Sequence, residues 1–382
     1  MIKLLTVIGA RPQIIKAAAI SRAVENHFIG QIEEKILHTG QHYDANMSQV
    51  FFNELGIPQP DYNLGVGSGS HGVQTAKMIA GIEEVLLSEH FDGIILYGDT
   101  NSTLAGAVAA SKIHIPIFHI EAGLRSFNMS MPEEVNRIVC DQLSSICFTP
   151  TQTGMSNLMR EGFIGSPAQF KNGKGRLVVN NGDVMYDNSM YFASLAEQKS
   201  DILSRLELTF NDYILTTIHR PNNTDEPAHL TAIISALLSI TERDEITLVL
   251  PLHPRTRNIL DKNLVPDIYE KLMSSTRVKI IPPASFFEII VLEKNARIVM
   301  TDSGGVQKES FFFERPCVIL RPETEWVEIV EHGAGIIADT DPVRIVSAYD
   351  ELVGTKPAFP PLFGDAHAAE HILETICEYL ES

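Results

Sequence analysis

Short runs of β-branched and aliphatic residues alternate with longer amphipathic segments along the whole 382-residue chain. Continuous apolar runs of strand length that are separated by helix-length segments are typical of parallel sheets covered by helices. The predicted strands are Lys3–Ile8, Glu34–Thr39, Gly93–Tyr97, Ile115–Ile120, Ile146–Thr149, Tyr213–Ile218, Ile246–Pro251, Val278–Ile281, Ile298–Thr301 and Val318–Leu320. The pattern therefore predicts an α/β protein with two Rossmann-like domains facing a central cleft.

The division between the domains is predicted from a polar, glycine-rich stretch in the middle of the chain. This stretch surrounds one strand and reads as the crossover, so we place the boundary at Lys174. A final helical segment, Ala366–Leu380, follows a Pro- and Gly-rich stretch long enough to return to the first domain. The first domain is thus predicted to comprise 1–174 plus 366–382, and the second 175–365.

Composition and charge exclude several classes of protein. No apolar run approaches the roughly 18 residues that span a bilayer, and the N-terminus is interpreted as a first strand instead of a signal peptide. A formal net charge of −18 opposes binding to nucleic acid and to anionic membranes. The four cysteines lack zinc-like spacing. We therefore expect a cytoplasmic protein with reduced thiols and neither a metal nor a cofactor.

The strongest local signal follows the predicted strand Ile298–Thr301. Ligands of parallel sheets bind beyond the carboxyl ends of the strands, and Ser303, Gly304 and Gly305 lie there at the start of a helix. Free backbone N–H groups at such a start attract phosphate, and Glu309 further along the helix could accept hydrogen bonds from ribose hydroxyls. The alternative is an ordinary tight turn capped by Ser303.

The first strand is followed by two cations instead of a nucleotide-binding fingerprint. The chain contains neither Gly-x-Gly-x-x-Gly after its first strand nor a P-loop, which argues against NAD-dependent redox chemistry and NTPase activity. Arg11 and Lys16 near the first helix start suit a phosphate or the developing charge of a leaving group. The alternative for each is a solvated surface charge.

Three carboxylates are predicted to meet at the edge of the first sheet. Asp99 and Glu121 each follow a strand, and Glu133 opens a helix. Carboxylates that share a partly dry site raise one another's pKa, so that an acid and a base can coexist at neutral pH. The alternatives are a helix cap for Asp99, a surface ion pair, and a helix-dipole partner for Glu133.

Histidines also follow strands. His219, next to Arg220, could donate to a phosphate or transfer a proton. His42 and His253 occupy other strand ends. Because no His, Asp and Glu cluster has ligand spacing, a metal site is not expected.

Seven motifs in order resemble the non-hydrolysing UDP-N-acetylglucosamine 2-epimerase family over nearly the whole chain. They are GARPQIIKAA, TGQHYDANM, YGDTNSTLAGA, HIEAGLRS, MPEEVNRI, TTIHRPNN and TDSGGVQKES. The resemblance implies a glycosyltransferase-B-like fold and a bacterial cytosolic isomerase that eliminates UDP across carbons 1 and 2 of the sugar, binds the glycal and adds UDP back.

The resemblance also implies roles for the candidate residues. Asp99, Glu121 and Glu133 would be the acid/base and transition-state-stabilising carboxylates, and His219 would stabilise the departing diphosphate. The remaining substrate-binding positions would be Arg11, Lys16, Arg137, Ser303, Gly304, Gly305, Glu309 and Arg321. The partner is a UDP-sugar, and a homodimer is expected because it is the commonest assembly for such enzymes.

The chain departs from the commonest family pattern at Gln13, where Glu is usual, in a shorter segment before Pro132, and in the Pro-Asn-Asn after Arg220. GARPQ, SFNMSMPEE and Thr324–Trp326 are more similar to the branch that acts on UDP-2,3-diacetamido-2,3-dideoxy-glucuronic acid. Three other functions stay open at this point: a hydrolysing epimerase, a retaining glycosyltransferase, and a nucleotide-sugar-binding regulator.

Overall fold

The computed structural model describes residues 1–41, 57–163, 175–252 and 254–382. Contacts divide these residues into two compact units. The first unit comprises Met1–Asn188 and Pro361–Ser382, and the second comprises Ser189–Pro360.

The described part of the first unit contains a seven-stranded parallel sheet with the order β3-β2-β1-β4-β5-β6-β7. Its strands are β1 (Ile2–Ile8), β2 (Ile32–His38), β3 (Tyr62–Asn63), β4 (Gly93–Tyr97), β5 (Ile117–Ile120), β6 (Ile146–Thr149) and β7 (Leu177–Asn180). The central strand β4 is buried along its whole length, as expected for a strand covered on both faces.

Helices alternate with these strands and cover the sheet. They are α1 (Arg11–His27), α2 (His71–Ser88), α3 (Asn101–Ile113), α4 (Pro132–Leu143), α5 (Gln152–Arg160), α6 (Val184–Lys199), which runs on into the second unit, and the C-terminal helix, which is labelled in chain order below. Aliphatic side chains of β1 and β4 pack against α2 and α3 in one hydrophobic core, which includes Leu5, Met78, Leu96 and Ala107. This packing fixes the carboxyl ends of the strands at one edge of the sheet.

The second unit repeats the architecture with a six-stranded parallel sheet in the order β10-β9-β8-β11-β12-β13. Its strands are β8 (Tyr213–Thr217), β9 (Thr247–Pro251), β10 (Val278–Ile281), β11 (Ile298–Thr301), β12 (Cys317–Ile319) and β13 (Gly335–Ile337). Its helices are α7 (Ile202–Arg205), α8 (Pro221–Thr224), α9 (Pro227–Arg243), α10 (Pro254–Asn263), α11 (Pro266–Ser274), α12 (Phe286–Asn295), α13 (Gly304–Phe312), α14 (Val327–Glu331) and α15 (Pro342–Thr355). The prediction of two α/β domains built on parallel sheets is confirmed.

The observed boundary between the units differs from the predicted one, because the last strand of the first sheet lies in the stretch that was predicted to be the crossover. Strand β7 pairs in parallel with β6, so the stretch interpreted as a crossover extends the first sheet. The first unit continues to Asn188, and the chain returns to it at Pro361. Lys174, the predicted boundary, lies outside the described residues. The edge strand is only partly buried, which explains why its short apolar run looked like a linker.

The C-terminal helix α16 (Ala368–Glu381) belongs to the first unit, which confirms its predicted return. Asp187 of α6 accepts hydrogen bonds from the backbone N–H groups of Ala368 and Ala369 at 3.1 and 2.8 Å. These bonds satisfy backbone N–H groups in the first turn of α16, and the acceptor is supplied by another helix. Among the helices in the described ranges, none is both long and apolar enough to cross a bilayer.

Candidate active site

A cavity of about 350 Å³ opens at the carboxyl edge of the first sheet. Asp99 and Glu133, two of the three predicted carboxylates, line it together. Its other lining residues are Ala10, Gln41, Ser68, Gly69, His71, Gln74, Thr100, Asn101, Pro132 and Asn136. Position at the strand ends is therefore a sound guide to this site, although the segment around Ser68 and His71 carries no strand signal that could have predicted its place.

The third predicted carboxylate, Glu121, is connected to Asp99 through a charged row of alternating sign, which consists of Lys16, Glu121, Arg137 and Asp99. The ammonium group of Lys16 lies 2.6 Å from Glu121, and Arg137 Nη2 lies 3.4 Å from Glu121 and 2.6 Å from Asp99. Lys16 and Arg137 are both buried, so these pairs experience little screening by solvent. The structure thus brings together four of the predicted residues as two cations and two carboxylates.

Left-handed backbone at the strand ends brings these groups together. Gly98 has φ = 60°, and Glu121 has φ = 67°, a conformation that costs a non-glycine residue free energy. A Cβ atom on Gly98 would lie 3.2 Å from Glu121 Oε1 and 3.4 Å from Lys16 Nζ. Glycine at position 98 therefore leaves space for the charged row beside it.

Asp99 does not cap the following helix. The N-cap of α3 is Thr100, whose hydroxyl accepts from the backbone N–H of Thr103 at 3.3 Å. Asp99 instead pairs with Arg137, and its carbonyl accepts from Asn136 at 2.9 Å. The carboxylate is consequently available at the cavity wall, and the helix-cap interpretation is wrong.

Two adjacent glutamates at the start of α4 have opposite surroundings. Glu133 is exposed and lines the cavity. Glu134 is buried and accepts hydrogen bonds from Ser126 N, Ser126 Oγ and Phe127 N at 2.8, 2.9 and 3.0 Å. Glu134, which no motif in the sequence singles out, anchors the loop leading to α4.

Gln13, the departure from the family pattern, has all four hydrogen-bonding positions of its amide occupied. Its Oε1 accepts from Gly9 N and Ala10 N, and its Nε2 donates to Tyr97 O and Thr103 Oγ1, at 2.9 to 3.1 Å. The amide links the turn after β1 to the turn after β4. A glutamate here could not donate to the Tyr97 carbonyl without a proton.

The second unit has its own cavity of about 510 Å³ at the carboxyl ends of its strands. His219, which follows β8, lines it, as does Val306 of α13. The other lining residues are Thr217, Pro251, Thr256, Pro283, Ala284 and Ile289. Mostly apolar walls with a few polar groups are typical of a small-molecule site.

Asp302, which is not among the predicted site residues, holds the turn that carries His219. It is fully buried and accepts from His219 N, Arg220 N and Asn223 Nδ2, each at 3.0 Å. Asn223 also donates to Leu320 O, so the ends of β8, β11 and β12 are joined. The sequence signal that could have pointed to Asp302 is a charged residue between a buried strand and a pair of glycines.

The two glycines of the second-unit turn have different surroundings. A Cβ on Gly304 would lie 2.0 Å from Glu325 Oε1, whereas a Cβ on Gly305 would meet no atom closer than 3.9 Å. Glu325 in turn pairs with Arg321 at 3.0 Å. Gly305 thus leaves open space at the helix start, and Gly304 accommodates the Glu325 carboxylate.

Ser303 is the N-cap residue of α13 but makes no side-chain capping hydrogen bond. The interpretation as an ordinary turn capped by Ser303 is therefore wrong, and the hydroxyl does not satisfy the first N–H groups of the helix. Glu309 lies half-buried on α13.

Arg11 is exposed at the start of α1. His42 and His253 lie outside the described residues. Within the ranges that the structure describes, no group of three or more His, Cys, Asp or Glu side chains could hold a metal ion.

Comparison with known proteins identifies the family of the chain. Residues 24–377 match the family described as UDP-N-acetylglucosamine 2-epimerase. UDP-2,3-diacetamido-2,3-dideoxy-D-glucuronate 2-epimerase of Pseudomonas aeruginosa is 46% identical over 98% of this chain and 99% of its own. The chain belongs to the UDP-N-acetylglucosamine 2-epimerase family. It is accordingly an isomerase of the epimerase type.

Solved structures support the same assignment. The crystal structure of Methanocaldococcus jannaschii UDP-GlcNAc 2-epimerase in complex with UDP-GlcNAc and UDP has 38% sequence identity and a TM-score of 0.78, covering 99% of this chain and 100% of that chain. A ugt transferase from Siraitia grosvenorii in complex with UDP, at 12% identity and a TM-score of 0.64 over the full length of both chains, shows similarity of fold alone. The fold of this epimerase family member is thus shared with a glycosyltransferase, as predicted.

Proposed function

We propose that the protein epimerises carbon 2 of a UDP-linked N-acetylated sugar by eliminating UDP and adding it back. The observation that carries this proposal is the charged row of the first unit, in which Arg137 bridges Asp99 and Glu121 beside Lys16. Proton transfer at a sugar carbon requires carboxylates held in place, and elimination requires cations for the departing diphosphate.

In the forward step, a carboxylate removes the proton from carbon 2 while the bond between carbon 1 and the UDP oxygen breaks. The electron pair of the C–H bond forms the carbon 1–carbon 2 double bond, and UDP leaves with the electrons of the C–O bond. A second group, which acts as an acid, then delivers a proton to the opposite face of carbon 2, and the UDP oxygen attacks carbon 1 again. Asp99, Glu121 and Glu133 are the proposed acid/base groups, and the division of roles among them is open.

The proposed nucleotide-binding residues lie mainly in the second unit. Ser303, Gly304 and Gly305 begin α13, where backbone N–H groups favour a diphosphate. Glu309 is proposed to bind ribose, and Arg321 to contribute charge. His219, with Arg11 and Lys16 of the first unit, is proposed to stabilise the departing UDP.

The proposed natural substrate is UDP-2,3-diacetamido-2,3-dideoxy-glucuronic acid. Support comes from the 46% identity to the Pseudomonas aeruginosa enzyme named for that substrate. The UDP-N-acetylglucosamine 2-epimerase homolog of Methanococcus maripaludis is 44% identical and the UDP-N-acetylglucosamine 2-epimerase of Methanocaldococcus jannaschii is 38% identical, each over 98% of this chain. UDP-N-acetylglucosamine is the alternative substrate.

We also propose that the enzyme works as a cytoplasmic homodimer. The four cysteines are free thiols, three of them buried, which fits a reducing compartment. Cyclic dimers are the commonest assembly of soluble enzymes. Sedimentation equilibrium at several protein concentrations measures the mass; a monomer throughout would contradict the proposed assembly.

The test of the function is exchange of the carbon 2 hydrogen. Purified protein is incubated in deuterated water with each UDP-sugar in turn and followed by NMR. We expect deuterium at carbon 2 with UDP still attached, and faster exchange with the diacetamido-uronate. Free sugar would instead indicate hydrolysis, transfer only to an added acceptor would indicate a glycosyltransferase, and saturable binding without exchange would indicate a regulator.

A further inference from the structure

His119, in the interior of the first sheet, has hydrogen-bond partners at both ring nitrogens. It lies on β5 with no exposed surface. Its Nδ1 lies 2.7 Å from Asp141 Oδ1, and its Nε2 lies 2.7 Å from the carbonyl oxygen of Gly98. The two partners therefore lie on opposite sides of the imidazole ring.

Counting protons on these partners determines the charge of the ring. The Gly98 carbonyl can only accept, so Nε2 must carry a proton. Asp141 also accepts from Arg125 at 2.7 Å and from Gly123 N at 3.2 Å, and these donors favour its ionised form. Nδ1 must therefore donate as well, and His119 is an imidazolium.

The charges that face His119 agree with this count. Burial opposes protonation of the ring, but the hydrogen bond and negative charge of Asp141 favour it, and the pKa of His119 is raised above its ordinary value. Burial likewise acts against ionisation of Asp141, but hydrogen bonding and charge from His119 and Arg125 hold the pKa of this carboxyl below its ordinary value. Burial raises the pKa of the nearby Cys147 thiol, so that it stays neutral.

The surrounding ion network is balanced. Arg125 makes two bonds to Glu161 at 2.7 and 2.8 Å in addition to its contact with Asp141. Two cations, His119 and Arg125, thus face two carboxylates, Asp141 and Glu161. Paired and hydrogen-bonded charges of this kind can remain ionised inside a protein.

The network holds both strand-end turns of the candidate active site. His119 bonds the carbonyl of Gly98, the residue before Asp99. Asp141 bonds the N–H of Gly123, two residues after Glu121. Both turns contain left-handed backbone at Gly98 and Glu121, which needs external support.

We propose that His119 is a positioning residue whose ring stays doubly protonated and, together with Asp141, holds the turns that carry Asp99 and Glu121 in the geometry needed for proton transfer. The contribution to turnover depends on the proposed function, whereas the protonation state does not. His119 itself contacts no substrate in this proposal.

The kinetic test replaces the ring and then restores its charge. A His119→Gln amide cannot donate in both directions, so we expect kcat to fall about 30-fold or more, with KM changed less than about 3-fold and UDP affinity unchanged. His119→Lys keeps a charged group with several donors and should recover about tenfold of that loss. His90→Gln is the matched control, since His90 pairs with Asp92 at 3.1 Å on the surface and should be neutral to replacement.

An unchanged kcat in a folded His119→Gln protein would overturn the proposal, as would equal losses in the His119→Gln and His119→Lys variants. If the wild-type enzyme turns over neither UDP-sugar, the proposed function fails, and the protonation state must then be read directly.

That second measurement is nitrogen-15 NMR of labelled histidines in the wild-type protein, which does not require a variant to fold. His38 is an internal reference, because its Nδ1 accepts from Gly40 N at 3.0 Å and burial lowers its pKa. At about pH 7 we expect one buried histidine to show two protonated nitrogens and another to be neutral. A spectrum in which every buried ring is neutral at about pH 7 would overturn the proposal.

Discussion

At the scale of single residues, the adjacent carboxylates Glu133 and Glu134 of the candidate site have different surroundings and different expected roles. Glu133 is exposed at the cavity, whereas Glu134 is buried under three hydrogen bonds from the loop before α4. Pro132 is the first residue of α4. Successive side chains of an α-helix point about 100° apart around its axis. One glutamate therefore faces the cavity and the next faces the protein interior.

This difference predicts separate effects of two matched substitutions. Glu133→Gln should lower turnover about 100-fold, as expected for loss of an acid/base group, with little change in thermal midpoint. Glu134→Gln should lower the thermal midpoint by about 4 °C or more, because an amide cannot accept at both oxygens. Calorimetry and the exchange assay on both variants check this; equal stability of the two would contradict the burial argument.

Asp99 gives a second prediction at this scale. Asp99→Asn retains the shape of the side chain but cannot act as a base at neutral pH, so we expect turnover to fall about 100-fold or more. UDP affinity, measured by calorimetry, should stay within about 3-fold. Asp267→Asn, an exposed change in the first turn of α11, is the control. Wild-type turnover in Asp99→Asn would remove this residue from the mechanism.

At the scale of elements, contacts between helices distant in sequence complete the first unit. Asp187 on α6 satisfies the first N–H groups of α16, and the backbone N–H of Asp183 bonds the carbonyl of Phe363 at 2.9 Å. A Cβ on Gly182 would lie 2.6 Å from that same carbonyl. The segments that leave and re-enter the first unit are consequently joined within it.

Asp187 makes the attachment of α16 depend on pH. Burial raises the pKa of its carboxyl to about 6 from an ordinary 3.8, even though the backbone N–H groups of Ala369 and Ala368 oppose the shift. A raised folded pKa means that protonation favours the folded state. The stabilisation is therefore complete below about pH 4 and is lost as the pH rises through about 6.

We expect the unfolding free energy of the wild type, relative to Asp187→Asn, to fall by up to about 3 kcal/mol between about pH 4 and pH 7. Chemical denaturation at several pH values measures it. Asp341→Asn at the exposed start of α15 is the control, since that carboxylate also accepts two backbone N–H bonds but lies in solvent. A difference that grows with pH would contradict the sign of the effect.

At the scale of the whole molecule, the chain carries a formal net charge of −18 and is proposed to bind an anionic nucleotide. Local grouping of cations resolves this conflict in the first unit, where Lys16 and Arg137 lie among the carboxylates. Coulomb energy falls with distance and with solvent screening, so these two buried cations act on a nearby phosphate more strongly than distant surface carboxylates do, although Asp99 and Glu121 offset part of their charge.

The same grouping predicts that turnover needs no divalent ion. Cations of the chain itself are proposed to stabilise the departing diphosphate, and the described residues contain no cluster suited to a metal. We expect dialysis against EDTA to leave kcat within about 20% of its starting value. Loss of activity that added Mg²⁺ restores would contradict this.

The amino-acid sequence alone determined the parallel α/β architecture and the strand ends at which Asp99, Glu121 and His219 lie. It could do so because apolar runs and their spacing are local signals, and because parallel strands all end at one edge. Only the tertiary structure decided that Arg137 bridges Asp99 and Glu121, that β7 belongs to the first sheet, and that His119 carries two protons. These features depend on contacts between residues far apart in the chain, whose partners and burial exist only after the chain has folded.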